Sequence, residues 1–481
     1  MKNLKILFLH PSAHLKRPMY ILMPMGMINL MNLLKEQNFQ VYAINVGLEL
    51  SLDSGYRIKD DLEKTEFDIA LIDLHWHEHA FGALELARLC KEIRPECYVV
   101  IGGFTASYFS DQIISDHEYV DFVISGDGEK PLLELVSATS GGGTEKISSV
   151  SNLTYRSSGK VITNPVSYTA DDAYSANYSD ITSLKHWEEY LKCNIHFYSR
   201  GQFWYSYWLC VAKGCVFDCS FCGGGKNAHQ QIFNRNHLFF REKKQVTDNI
   251  RHLAGLGVHT VNFSHDIQMA GVEYWESLLS DIGKNDIDIG AYIELNSLST
   301  PAFAEKFAET FSLNYSTLVF SPLSGNEEVR AKNGKGYSNS DLLKNVELME
   351  SLKIPYAVYF AAGFPFETEE SFNETLELAE KLSSGSMLKM IFSTPLTLDP
   401  GSPMFNNPGE FGITPHFRSF KDYYERSRKR ACGMPFDLYG YHTDTLSPGQ
   451  MNSLQVKWME FMKEKFEDII SNLTVSRVNF L

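Results

Sequence analysis

The sequence has no apolar run of membrane-spanning length, which excludes an integral helical membrane protein from the start. The apolar stretch in Met1-Lys-Asn-Leu-Lys-Ile-Leu-Phe-Leu-His10 is too short for a signal-peptide core and reads as a first buried strand. Cysteine is scarce, 8 in 481 residues, so the chain is no disulfide scaffold. Positive charge is in deficit: Lys+Arg 44 against Asp+Glu 59 leaves a net charge of -15. Phosphate binding needs a basic surface, so nucleic acid is not expected as the main partner. One basic run, Arg426-Ser-Arg428-Lys-Arg430, reads as a solvated helix face. No segment of roughly 20 to 50 residues repeats, which excludes a solenoid. What remains is a cytoplasmic globular protein too long for one ordinary core, with two or three domains.

Residues 1 to 140 alternate strand and helix signals at the spacing of βαβ units. Apolar runs at 4–9, 41–46, 68–72, 98–101 and 122–124 predict five buried parallel strands, with helical patterns between them. An open parallel sheet binds ligands at the carboxyl ends of its strands. The loops there are His10-Pro-Ser-Ala-His14, Asp73-Leu-His-Trp-His-Glu-His79, Gly102-Gly-Phe-Thr-Ala-Ser107 and Ser125-Gly-Asp-Gly-Glu129. Residues 141–200 read as a connector, with a glycine linker at 141–143 and a hairpin turning at Ser157-Ser-Gly159. Between 201 and 400 a second series of six strand and helix signals predicts a partial barrel, short of the eight strands that close one. Residues 401–481 read as mostly helical and rich in aromatics. The expected fold class is therefore α/β. An N-terminal doubly wound, Rossmann-like sheet precedes a central partial (β/α)6 barrel of the TIM type and a helical C-terminal segment.

Five cysteines lie scattered, mostly in apolar surroundings, but three crowd into Gly214-Cys215-Val-Phe-Asp-Cys219-Ser-Phe-Cys222. Soft thiolates this close converge on a metal centre or are reactive, and in a reducing cytoplasm a disulfide is the poorer reading. A closed zinc site wants four ligands, and the next candidates are Cys210, in the preceding strand, and His229. An iron–sulfur cubane usually takes four cysteines as well. Three leave one iron open, as a cluster that binds a substrate requires.

The C-x-x-x-C-x-x-C spacing, Phe221 before the last cysteine, and the position after the first barrel strand resemble the radical S-adenosylmethionine (SAM) superfamily. The resemblance implies a 4Fe-4S cluster on Cys215, Cys219 and Cys222, with SAM chelated by the open iron and cleaved to a 5′-deoxyadenosyl radical. Phe221, Ser264, Asp266, Glu294 and Ser321 fall where such enzymes contact SAM, although Asn262-Phe-Ser-His-Asp266 departs from the usual Gly-Gly-Glu pattern. Gly363-Phe-Pro-Phe-Glu-Thr368 and Asp399-Pro-Gly-Ser-Pro403 resemble the turns after the last two strands.

Residues 1–140 resemble the cobalamin-binding Rossmann domain found upstream of many radical SAM barrels. Pro24-Met-Gly26, Gly102, Gly103, Thr105, Ala106, Ser125, Gly126, Gly128 and Glu129 occupy its loop positions. The signature D-x-H-x-x-G is incomplete, because Glu78 stands in its glycine place after Asp73-Leu-His75. The resemblance places His75-Trp76-His77 at the lower face of cobalt, with Trp76 or a neighbouring histidine facing the metal. With both cofactors, the implied activity is methylation of an unactivated carbon of a small-molecule or natural-product substrate through methylcobalamin, with flavodoxin or ferredoxin as reductant. The alternatives are a non-methylating radical rearrangement, cyclisation or SAM-fragment transfer. In another class stands a corrinoid-binding carrier or sensor with a structural cluster. The aromatic residues of 401–481 make either a lid over the substrate or a plain helical core, the commoner case.

Overall fold

A computed structural model describes the chain except residues 1–3, 14, 20, 141–143, 171–176, 194–204, 286 and 466–481. The first sheet has the order β2-β1-β3-β4-β5-β6-β7. Its strands are β1 (Lys5–His10), β2 (Gln40–Asn45), β3 (Ile69–Asp73), β4 (Tyr98–Gly102), β5 (Phe122–Ile124), β6 (Leu153–Ser157) and β7 (Lys160–Thr163). β1 to β5 are parallel, and the five expected apolar runs are mostly buried, with Tyr42 and Tyr98 exposed. The helix Ala80–Ile93 shows the periodicity at work: Leu84, Ala87 and Cys90 lie on one fully buried face. The hairpin β6–β7 is part of this sheet, because β6 pairs antiparallel with β5. The glycine linker at 141–143 lies outside the described residues.

The second sheet follows from β8 (Ser206–Leu209), with a small antiparallel pair, β9 (Ala212–Lys213) and β10 (Phe239–Phe240), beside it. Then come β11 (Thr260–Phe263), β12 (Gly290–Leu295), β13 (Thr317–Leu323), β14 (Tyr356–Ala362) and β15 (Leu388–Pro395). The order β15-β14-β13-β12-β11-β8 is sequential and all parallel. β8 and β15 are the unjoined edges, so this is the expected open six-stranded barrel. The helix Glu369–Leu382 starts on a capping box between Thr368 and Ser371, with Glu369 and Glu370 in its first turn.

The C-terminal part holds a short hairpin, β16 (Ile413–Pro415) with β17 (Tyr441–Thr443), and two helices, Phe420–Ala431 and Pro448–Lys465. Helix Phe420–Ala431 packs across helix Ala80–Ile93 of the first domain, where Ser427 Oγ donates to the Glu78 carbonyl at 2.6 Å. The expected solvated basic face is corrected here. Arg426 is 4 % exposed and donates to the carbonyls of Asp437 (3.1 Å) and Leu438 (3.2 Å), because it shares the packed face with Tyr423 and Ser427. Lys429 is exposed, as expected. The aromatic residues are chiefly core: Phe405, Phe417, Tyr423, Tyr439 and Tyr441 are buried. Cys432 is exposed rather than apolar-packed. Among the described residues no helix is long and apolar enough to cross a membrane.

Candidate cofactor site

The three clustered thiols sit in the loop that follows β9. Gly214 opens the loop at φ +99°, and a Cβ there would stand 2.5 Å from the His237 carbonyl oxygen. At the far end a Cβ on Gly223 would meet the Pro400 oxygen at 2.7 Å, so the Asp399 turn presses against the loop. Gly334 faces Cys219 in the same way, its would-be Cβ 2.9 Å from the Cys219 Cα. Glycine is thus required where three segments converge on the thiols.

Cys215, Cys219 and Cys222 are all free and partly exposed. Among the described residues only His10, Asp73 and His79 form a group of three whose ligand atoms all lie within 4.8 Å of one another, so at least one pair of the three sulfurs stands further apart. Sulfurs around one tetrahedral zinc, at about 2.3 Å from the ion, would lie closer than that. Burial, with Asp399 nearby, pushes the Cys222 thiol up to about 12, so thiolates in this loop call for a cationic partner. Neither candidate for a fourth ligand turns to the loop. Cys210 is buried with its thiol toward the Ala212 carbonyl at 3.4 Å, and His229 packs against Phe104 and Phe233.

The residues expected to contact SAM are spread along the barrel. Phe221 packs edge-on to Phe364 at 5.7 Å. Ser264 Oγ accepts from the Val211 amide at 3.0 Å. Asp266 is fully buried and accepts from the amides of Gln268 (3.0 Å) and Asn296 (3.3 Å); burial pushes its carboxyl up. Glu294 is the penultimate residue of β12 and accepts from Tyr292 Oη at 2.8 Å. Although its side chain is exposed, the surrounding protein desolvates it enough to raise its carboxyl as well. Ser321 lies where the pairing of β13 with β14 skips from Phe320 to Leu323. In the turn after β14, Glu367 is a buried staple: it accepts from the amides of Gly363 (2.7 Å) and Phe364 (3.3 Å), and desolvation lifts it to about 8.

A cavity of about 510 Å³ separates the two sheets, a size typical of small-ligand and cofactor sites. The carboxyl ends of β3, β4 and β5 supply His75, Trp76, Gly102, Gly103, Gly126, Gly128 and Glu129 to its wall. Gly103, at φ +113°, admits no side chain, since a Cβ would lie 2.6 Å from the His75 nitrogen. Thr105, Ala106, Ser125 and His77 do not reach the wall. Thr105 and Ala106 instead pin the loop, Thr105 Oγ1 donating to the His75 carbonyl (3.0 Å) and the Ala106 amide to that of Leu74 (3.2 Å). Burial keeps the His75 imidazole below its ordinary value, and so neutral.

The opposite wall comes from the barrel: Trp208, Lys213, Gly214, Gly224, His229, Arg235 and Ser264. Sequence reasoning missed Trp208, Lys213 and Arg235 in this role. Arg235, 1 % exposed, donates to Asp127 Oδ2 at 2.6 Å, and Lys213 pairs with Glu129 and, at 3.3 Å, with Asp127. Two cations of the barrel thus meet two carboxylates of the first sheet, and the pairing clasps the domains together. These partners lie 84 and 108 residues apart, and no local pattern announces them.

Two parallel sheets that turn their carboxyl edges to one cavity, with a three-thiol loop at its rim, define a protein built for two cofactors. The comparisons give the class a name: residues 15–136 match the B12 binding domain and residues 209–379 the radical SAM superfamily. The chain therefore carries a B12-binding domain followed by a radical SAM domain. It is 22 % identical over 314 residues (63 % of this chain, 62 % of the relative) to an uncharacterized methyltransferase, PH0819, of Pyrococcus horikoshii. It is 23 % identical over 310 residues (62 % of this chain, 52 % of the relative) to an anaerobic magnesium-protoporphyrin IX monomethyl ester cyclase of Rubrivivax gelatinosus. The alignments thus span only 62 % and 52 % of those relatives. The radical SAM methyltransferase TsrM of Kitasatospora setae, solved with tryptophan and a SAM analogue, superposes with a TM-score of 0.70 at 16 % identity, covering 94 % of this chain and 88 % of TsrM. That likeness is one of fold. A radical SAM domain implies a 4Fe-4S cluster and SAM, and a B12-binding domain implies cobalamin. The residues fit both: three spaced thiols for the cluster, and a glycine-edged cavity for a large planar ring.

Proposed function

We propose that the protein is a cobalamin-dependent radical SAM enzyme that methylates an unactivated carbon of a small molecule. One observation carries this reading. Gly214 and Gly224, on either side of the clustered cysteines, line the same cavity as the glycine loops of the first sheet, so the two cofactor sites adjoin. When bound, the cluster supplies one-electron cleavage of SAM and the corrinoid supplies a transferable methyl group.

The chain's own residues bind, orient and shield. Cys215, Cys219 and Cys222 hold the cluster, and Phe221, Ser264, Asp266, Glu294 and Ser321 form the SAM side of the barrel. His75, Trp76 and the glycines of 102–103 and 126–128 seat the corrin, while Thr105 and Ala106 fix that loop from behind. The Lys213–Glu129 and Arg235–Asp127 pairs hold the two sites in register. Helix Phe420–Ala431 keeps water from the seam by packing on both domains, with Tyr423 Oη donating to the Leu398 carbonyl at 2.6 Å. We divide the chain accordingly at about 140, 200 and 400. We place it in the cytoplasm, with a flavodoxin or ferredoxin as electron donor.

A second reading, radical cyclisation or rearrangement, draws on the cyclase relative. Anaerobic reconstitution with cluster and cobalamin, followed by incubation with SAM and titanium(III) citrate, separates the possibilities. Both S-adenosylhomocysteine and 5′-deoxyadenosine are expected from a methylase. 5′-Deoxyadenosine alone favours the second reading, and neither product leaves only a carrier or sensor.

A further inference from the structure

Where the barrel meets the first sheet, the cavity wall holds buried polar atoms that make no hydrogen bond among the described residues. Arg235 uses only Nη2, which donates to Asp127 Oδ2 at 2.6 Å and to the Ala170 carbonyl at 3.2 Å. Its Nε and Nη1 are buried with nothing to donate to. Glu129 receives Lys213 and, at 3.2 Å, the Asn29 side-chain amide on Oε1, while Oε2 accepts from no group. His229, packed between Phe104 and Phe233, leaves its buried Nδ1 unmatched as well. Arg235, Glu129 and His229 all line the cavity. Local structure puts the arginine there. Asn234 ends the helix Lys226–Phe233 in the left-handed region, at φ 50°, and the Arg235 amide turns back to the His229 carbonyl at 3.1 Å.

An unmade hydrogen bond on a buried group is costly, and here two donors and an acceptor are left over in one connected cluster. Its charges already balance: Asp127 pairs with Arg235 and Lys213, and Lys213 also pairs with Glu129. Burial, with Arg235 nearby, holds the His229 imidazole down at about 4, so it adds no charge near pH 7. A bound anion or cation would upset that balance where little water can screen it. A neutral group that accepts and donates at once suits the cluster. A primary carboxamide does this, with its oxygen for Arg235 and its NH2 for Glu129. We infer that the cluster recognises a primary carboxamide on the rim of the corrinoid, so that the barrel as well as the first sheet grips that cofactor. The inference rests on the cobalamin reading above. A carboxamide of the substrate has the same chemistry, and the experiment separates the two.

The probes are cobalamin and its monocarboxylic acids, each with one side-chain amide hydrolysed, titrated into the cluster-loaded protein and read by absorbance. One isomer is expected to bind about tenfold or more weakly than cobalamin, since its carboxylate faces Glu129 with no N–H to give. Glu129→Gln presents an amide N–H in that place and is expected to reverse the preference between that isomer and cobalamin. Should the variant fail to fold, the isomer's N-hydroxysuccinimide ester decides on the wild-type protein. It is expected to acylate Lys213, as read by peptide mass spectrometry, and excess cobalamin is expected to block the adduct. Isomers that all bind as cobalamin does leave the cluster to the substrate and overturn the inference. A preference unchanged by Glu129→Gln, or cobalamin-blocked acylation elsewhere than Lys213, overturns it as well. Protein that takes up no cobalamin overturns the cobalamin reading and this inference with it.

Discussion

The first sheet brings glycine turns and mostly apolar side chains to the shared cavity, and the barrel brings chiefly polar and charged ones. Gly102, Gly103, Gly126 and Gly128 let the backbone of the loops after β4 and β5 come up to the cavity, Gly103 and Gly126 at positive φ. The barrel presents the thiol loop, Lys213, His229 and Arg235. A large planar cofactor is held by shape, so its domain needs close backbone approach. A cluster is held by bonds, so its domain needs donor atoms at set spacing. The two halves should therefore fail differently when altered.

The largest effect is expected on the barrel side. Cys222→Ala should lose its cluster iron and cut 5′-deoxyadenosine formation to background while still binding cobalamin, as read by iron analysis and absorbance. An intact cluster in that variant would break the comparison. Next comes the clasp. Arg235→Met strands the Asp127 carboxylate; loss of one partner from a buried pair costs about 3–5 kcal/mol, and Lys213 should hold this case near the lower end. Chemical denaturation measures it, and the double variant D127L/R235M should recover much of the loss.

On the Rossmann side, Gly103→Ala forces a Cβ into the Leu74–His75 backbone at positive φ. A strain of about 1–3 kcal/mol and weaker cobalamin binding are expected, with cluster iron unchanged. Gly283→Ala is the control, since its Cβ would meet nothing within 4 Å and it lies off the cavity wall. The smallest effect is a pH slope. Glu367 is lifted to about 8 in the fold, above its ordinary value of 4.5, so the folded protein holds a proton that the unfolded chain releases. Stability from this group is full below about 4.5 and declines as pH rises toward about 8. Melting temperatures measured across that window should fall in the wild type and flatten in Glu367→Gln.

The parallel strands were legible because strands buried on both faces read as unbroken apolar runs, and β5 falls on the expected 122–124 without a shift. The thiol motif was legible because all its donors lie in one loop. Arg426 misled because a basic run says nothing about which face of its helix is packed. Lys213 and Arg235 were invisible because their partners come from another domain. Spacing alone left His75, Trp76 and His77 equivalent, and only the fold separates the two that meet the cavity, His75 and Trp76, from His77, turned to Asp399. Tyr439 and Tyr441 prove to be framework, their hydroxyls donating to the carbonyls of Met451 (2.9 Å) and Gly363 (2.6 Å).

The central claim is that three thiolates hold a cluster with one iron left open beside the corrinoid cavity. Its most direct test is the spectrum of the dithionite-reduced cluster, by electron paramagnetic resonance, before and after SAM is added. A clear shift of the cluster signal, with methionine ¹⁷O or ¹⁵N labels in SAM coupled to it, is the expected result. Zinc at the thiolates in anaerobically purified protein, or a cluster signal indifferent to SAM, would contradict the account.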